Sequence, residues 1–329
     1  MTEERWHIRR MKGSDASEIG RWIRFLYPPP RALERELAQV LKRLLVREKI
    51  SAWCVEEQGE EGSDGRPVAI GVTTFVSDAL TSSYLAKPTP NLNLTLLEEE
   101  RANKKGGGSM LTPEQVGRCN AADGLNLLIL FWIHEQADFD FSKERNRQLF
   151  IQGKTILERH YRGYKLKQVL LEGLSPQTRL AMLSLGLKEL RTFPAGTPMT
   201  LTGERSYREL VLTGLSREEA RPDLPASPAV DLFVHRSPIC HFTRREQQVL
   251  ELALEQMTNE EIASALGRKV ETIRARWRSI FDRMQTKGLL PEDDDNGMST
   301  SPHVSKRRAA LRYVRDHPEE LRPYAWKDR

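Results

Sequence analysis

The sequence predicts an α/β amino-terminal domain followed by an all-α carboxy-terminal domain. Segments of strand and helix period alternate from Trp6 to Leu187, and a proline-rich stretch, Pro222 to Pro228, then interrupts the chain. Beyond it, Thr243 with Glu246 and Thr258 with Glu261 each open an apolar-periodic run, the pattern of two capped helices. At 329 residues the chain exceeds one ordinary domain of roughly 100–200 residues, so two folded units are expected. A hydrophobic share of 39% and a charged share of 29% supply a core and exclude wholesale disorder.

Trp6 to Met11 has strand character. Asp15 to Tyr27 is helical, with Ile19, Trp22, Ile23 and Leu26 on one face, and Pro28-Pro29-Pro30 stops it. Ala32 to Glu48 sets Leu33, Leu37, Val40, Leu41, Leu44 and Leu45 along a second helix face. Ser51 to Glu56 and Pro67 to Val76 form a hairpin around an acidic turn, and Leu125 to Ile133 is long and apolar enough for a central strand. Arg145 to Arg162 is a helix, Leu166 to Glu172 a strand and Gln177 to Leu187 a short helix.

Glu57 to Arg66 and Glu98 to Gly108 look like breaks, and Pro291 to Pro302, with Asp293-Asp294-Asp295, looks like a solvated spacer. Val304 to Asp316 has helical spacing and a basic character, ended by Pro318. The organisation expected is therefore an α/β domain over 1–220 that senses a ligand or binds a partner, a linker over 221–238, a helical domain over 239–290, an acidic spacer over 291–303 and a basic helix over 304–329.

Function classes narrow quickly. The run Leu125 to Ile133 falls far short of the roughly 20 apolar residues of a membrane helix. Met1 to Arg10 is charged, without the apolar centre of a secretory signal, so a cytoplasmic location is expected. Cys54, Cys119 and Cys240 lack the spacing of a disulfide framework or zinc site. Asp138 and Asp140 read as turn residues, His134 and His160 as surface or locally bonded histidines, and Ser109 and Lys104-Lys105 as a flexible loop. No catalytic residue, metal site or cofactor is expected. The net charge of +5 is mild, so its position decides what it means.

The order strand, two helices, hairpin, central strand, long helix, strand and short helix, across Trp6 to Pro194, resembles the GNAT acyltransferase fold. Ile8-Arg9-Arg10 followed by Asp15, Ala69-Ile70-Gly71-Val72 and Gly163-Tyr164-Lys165-Leu166 are similar to that family in detail. The resemblance implies a mixed sheet covered by helices. It also implies an acyl-CoA pyrophosphate held on a Gly-containing loop opening the long helix, the usual use of a helix N-terminus. The equivalent stretch here, Phe141 to Asn146, has no glycine, so acyl transfer is not expected; an acyl-CoA-dependent N-acyltransferase with a DNA-targeting domain is the alternative.

In the carboxy-terminal domain, Val249/Leu250/Ala253, Ile262/Ala263/Leu266 and Ile273/Trp277/Ile280/Met284 give one apolar stripe per helix, enough to close a small core. Gly267 suits a left-handed helix end. From Arg268 to Lys287, seven basic residues against Glu271 and Asp282 leave an excess of five on the last helix. A helix fits the major groove, where Lys or Arg neutralises phosphates and Arg binds guanine with two hydrogen bonds. Duplex DNA is the partner this pattern predicts.

The same stretch resembles the LuxR-type (GerE) helix-turn-helix of bacterial transcription regulators over Phe242 to Leu290, through Thr243-Arg244-Arg245-Glu246, Val249-Leu250, Glu261-Ile262-Ala263-Ser264-Ala265-Leu266 and Thr272-Ile273-Arg274. Gln256 stands where a glycine is usual, Lys269 where a Ser is, and Arg276 where a His is common. The resemblance implies that Arg274, Ala275 and Arg278 face base edges and that Thr258, Lys269, Thr272 and Arg276 lie near phosphates. It also implies a homodimer, although the usual fourth helix is not evident directly after Met284. A quorum-sensing regulator with an autoinducer-binding domain is a further alternative for the amino-terminal part.

Overall fold

The computed structural model describes all residues except 1–5, 27–28, 30, 58–64, 104–107, 136–139, 174–175, 198–208, 221–228, 291–301 and 325–329. Asp138, Lys104-Lys105, the Pro222–Pro228 stretch and Asp293-Asp294-Asp295 lie outside the described residues.

The first unit runs β1 (Trp6–Arg10), α1 (Ala16–Leu26), α2 (Arg31–Val46), β2 (Ile50–Glu57), β3 (Arg66–Val76), α3 (Asp78–Ala86), α4 (Leu92–Ala102), α5 (Pro113–Ala121), β4 (Leu125–His134), α6 (Glu144–Tyr161), β5 (Leu166–Gly173), α7 (Pro176–Ser184), β6 (Lys188–Phe193), β7 (Leu210–Ser216) and α8 (Arg217–Ala220). Seven strands form one sheet in the order β1-β2-β3-β4-β5-β7-β6. Only β4 and β5, among these pairs, run parallel, and α6 makes the crossover between them.

Both faces of the sheet are covered. On one, α1, α2, α3 and α4 pack with Ile70, Val72, Leu128, Leu130 and Leu212; on the other, α5, α6 and α7 pack with Leu127, Ile129, Val169, Leu171 and Leu215. Alternate residues of β4 thus face opposite layers, which is why that strand is apolar without a break from Leu127 to Ile133. A third layer contact is set by Gly153 of α6. A Cβ there would sit 2.1 Å from the Trp132 ring of β4, so the helix can approach the sheet only with glycine at this position.

One expectation changes. Glu98 to Ala102 is not a break but the end of α4, held by the buried pair Lys49–Glu100 at 2.7 Å and by Arg43 donating to the Glu100 carbonyl. His134 and His160 are half-buried, and His160 is locally engaged, as one of the two expected readings has it. Burial pushes their pKa values down to about 3 and about 2, with Arg322, Arg10 and Arg159 adding to the second, and His160 stacks on Trp53 at 3.4 Å.

The second unit comprises α9 (Arg244–Leu254), α10 (Asn259–Leu266), α11 (Val270–Thr286) and α12 (Pro302–Asp316), followed by a 3-10 turn, Pro318–Leu321. Val249, Leu250, Ile262, Ile273, Trp277, Ile280 and Met284 share one buried cluster with Ala310, Val314 and Leu321. A fourth helix, α12, thus packs on α9 and α11 and completes this core; as expected, it does not follow directly on Met284.

The residues after α12 join the two units. The Glu320 carboxylate, 1% exposed, accepts the N–H groups of Ile239 (2.7 Å) and Cys240 (3.1 Å) and the Tyr313 hydroxyl (3.0 Å). Two residues on, Arg322 donates to the carbonyls of Arg159 and Arg162 at 2.9 Å each and lies 5.2 Å over the Tyr164 ring. These are the exposed carbonyls at the end of α6, where a cation is favoured. Asn120 of α5 donates to the Pro323 carbonyl at 2.9 Å, and Arg244 pairs with Glu48 at 2.9 Å.

Candidate nucleic-acid interface

Local chemistry fixes where α9 and α10 begin and end. The Thr243 and Thr258 side chains accept from the N–H groups of Glu246 and Glu261, while those glutamates accept from the threonine N–H groups at 2.7 Å each. Both helices end in the same motif. Met257 N–H returns to the Leu252 carbonyl and Arg268 N–H to the Ala263 carbonyl, around left-handed residues Gln256 (φ 65°) and Gly267 (φ 60°). Gln256 thus carries in strained form the conformation that a glycine would adopt freely.

α11 is placed against these two helices by its buried stripe, Ile273, Trp277, Ile280, Phe281 and Met284. Trp277 donates to the Asn259 side chain at 3.2 Å. Glu246, 1% exposed, also accepts from Ser279 at 2.5 Å and Arg283 at 3.2 Å, so the carboxylate that caps α9 also holds α11.

The opposite side of α11 presents Glu271, Thr272, Arg274, Ala275, Arg278 and Asp282 to solvent. Among the described residues, no ion pair or side-chain hydrogen bond engages Arg274, Arg276 or Arg278; Lys269 is exposed at the N-cap of α11 and Thr258 at that of α10. Arg276 is half-buried. Arg283, counted among the basic residues of this helix, is turned to Glu246 instead, a role that Ser279 and Arg283 at helical spacing from Trp277 and Ile280 do not reveal by themselves.

The opening of α6 is arranged differently. Its N-cap is Lys143, without a side-chain cap. The Asp140 carboxylate accepts the Ser142 N–H and hydroxyl, both at 2.8 Å, which hold its pKa below the ordinary range; Asn146 donates to the Asp140 carbonyl at 2.9 Å. Arg145 is paired with Glu57 and Glu135. A cavity of about 20 Å³ between β4, α6 and α7, bordered by Trp132, Phe150, Leu157 and Met182, has room for little more than a water molecule. Among the described residues, no group of three or more His, Cys, Asp and Glu side chains could hold a metal, and no helix is long and apolar enough to cross a membrane.

Three helices, two capping boxes, a tight turn and an outward basic face define a helix-turn-helix unit. Residues 241–290 match the family model described as bacterial regulatory proteins, luxR family (GerE), so this segment is a LuxR-type helix-turn-helix domain. No curated protein matches the chain.

The amino-terminal unit is similar in structure to several N-acetyltransferases. They include Arabidopsis thaliana NAA60 in complex with acetyl-CoA (10% identity, 64% of this chain and 98% of that one, TM-score 0.38). Drosophila melanogaster polyamine N-acetyltransferase is another (13%, 64% and 99%, TM-score 0.34), as is an N-acetyltransferase from Staphylococcus aureus (8%, 65% and 98%, TM-score 0.33). The description of this unit as a mixed sheet covered by helices rests on its own strand pairing.

Proposed function

We propose that this chain is a cytoplasmic, sequence-specific DNA-binding transcription regulator whose amino-terminal α/β unit senses a small molecule or binds a protein partner. α11 lies in the major groove of duplex DNA, with Arg274, Ala275 and Arg278 against base edges and Thr258, Lys269, Thr272 and Arg276 along the phosphates. One observation carries the reading: the outward face of α11 keeps Arg274 and Arg278 exposed, while buried residues on its other side fix the helix against two capped neighbours. Exposed guanidinium groups on a rigid helix can meet guanine with two hydrogen bonds. The chain acts as a homodimer on paired half-sites.

Duplexes selected from genomic fragments by the full chain, then titrated by gel shift, test this. Arg278→Ala should cost about 1–3 kcal/mol and relax preference at one base pair. Lys269→Ala should weaken all sequences alike and reduce the salt slope by about 0.9. Selection of no duplex at low salt would reject the reading, and unchanged preference in Arg278→Ala would reject that contact.

The rival reading, an acyl-CoA-dependent transferase with a DNA-targeting domain, needs an anion site at the start of α6. There Asp140, Ser142 and Asn146 are bonded to one another and Arg145 is paired with Glu57 and Glu135, and calorimetry with acetyl-CoA separates the two readings.

A further inference from the structure

We propose that α12 is a second DNA-contacting element, in which Arg308, Arg312 and Arg315 bind successive phosphates beside the groove entered by α11. The proposal rests on the reading of α11 as the groove helix and extends its footprint.

The described part of α12 is built for opposite tasks on its two sides. Ala310 and Val314 are buried in the helical core, whereas Arg308, Arg312 and Arg315 are all exposed. Their spacing of four and three residues puts the three guanidinium groups on one stripe. Between Lys306 and Asp316 the helix carries five basic residues against one acidic residue. No carboxylate pairs with Arg308, Arg312 or Arg315 among the described residues. Like charges in adjacent turns repel, so this stripe is unfavourable for the helix alone and is relieved by an anionic partner.

Arg307 fixes where the start of α12 lies relative to the helix-turn-helix. Its guanidinium sits 5.0 Å over the Trp277 ring and donates to the Met257 carbonyl at 2.9 Å and to Asn259 at 3.4 Å. Met257 and Asn259 flank Thr258, the N-cap of α10. The beginning of α12 is therefore seated at the helix terminus that the proposed function sets against phosphate, with Arg308 next in the chain. The seven steps from Arg308 to Arg315 rise about 10 Å along the helix. That length matches about three phosphates of one strand, at roughly 3.4 Å of duplex axis each. A polyanion with closely and regularly spaced charge fits the stripe, and duplex DNA is the one already brought to its edge.

The test compares the full chain with its Arg308→Gln, Arg312→Gln, Arg315→Gln triple variant by fluorescence anisotropy on a random-sequence 30-base-pair duplex, across a salt series. The slope of log affinity against log salt should shrink by about 2.7, with circular dichroism unchanged. The corresponding triple Lys variant should keep the original slope. If the triple Gln variant folds poorly, Arg312→Gln alone should lose about 0.9 of slope. A slope unchanged in the Gln variants overturns the role of α12 while leaving α11 in place. Failure of the unmodified chain to bind the duplex at low salt overturns the DNA-binding reading itself, and this proposal with it.

Discussion

Replacing Glu246 by alanine should loosen the helix-turn-helix more than any surface charge change in it. The side chain is 1% exposed and accepts from the Thr243 N–H (2.7 Å), the Thr243 hydroxyl (2.9 Å), Ser279 (2.5 Å) and Arg283 (3.2 Å). Losing its half of the cap costs about 1 kcal/mol. Leaving the Ser279 hydroxyl without its charged acceptor costs about 1.5–3 kcal/mol. Arg283 is 40% exposed, so water replaces much of its pairing and it adds only about 0.5 kcal/mol. The sum is about 3–4.5 kcal/mol. Amide hydrogen exchange along α9 and α11 measures the loss directly, because both helices open when their shared carboxylate is gone. A change in opening free energy below about 1 kcal/mol would show that the apolar stripe alone positions α11. The pH dependence gives a second check. Burial pushes the Glu246 pKa up, but the bonds from Ser279 and Thr243 and the charge of Arg283 outweigh it and leave the pKa below the ordinary carboxylate range. Its contribution is fully present above the unfolded value of about 4.3 and is lost as pH falls through the depressed folded value. Glu246→Gln should therefore remove part of the acid sensitivity of α9 and α11.

Gln256→Gly should stabilise the carboxy-terminal unit by about 0.5 kcal/mol, the relief of a left-handed residue less the added freedom of the unfolded glycine, as read by thermal unfolding. No gain would mean that the turn carries no strain. Gly153→Ala drives a methyl group into the Trp132 ring and should cost about 1–3 kcal/mol in urea unfolding; Trp132→Leu in the same chain should recover part of it. Additive losses would refute that contact. Arg322→Ala removes two hydrogen bonds and a ring contact between the units. It should speed amide hydrogen exchange over Pro318–Leu321 several-fold, whereas unchanged exchange would place the restraint elsewhere.

Elements with a strong local period or a local cap were legible in the sequence. α1, α2, β4 and α6 follow apolar spacing, and α9 and α10 start at Thr243 and Thr258 because the capping partners lie three residues on. What escaped follows from weaker or distant causes. α4 begins behind Asn91 in a left-handed conformation and is held by Lys49 from far along the chain. β6 is an exposed edge strand with polar residues at most positions, and β7 is placed by its pairing with the distant β5 on one side and β6 on the other. α5 had a readable signal, Thr112 with Pro113 and Gln115, and the structure uses it as a capping box. In the candidate interface, the exposed arginines of α11 were visible as a helical face. The diversion of Arg283 to Glu246 and the seat of Arg307 on Trp277 depend on helix packing that no local pattern encodes.

The seating of α12 on the other three helices has a consequence for how the protein is made. A ribosome delivers α9, α10 and α11 before Ala310, Val314 and the Glu320 carboxylate exist, and the N–H groups of Ile239 and Cys240 must wait for that carboxylate. Nascent chains halted before residue 302 would expose an incomplete core, and the helical unit would close only after α6, whose end receives Arg322, has already been made.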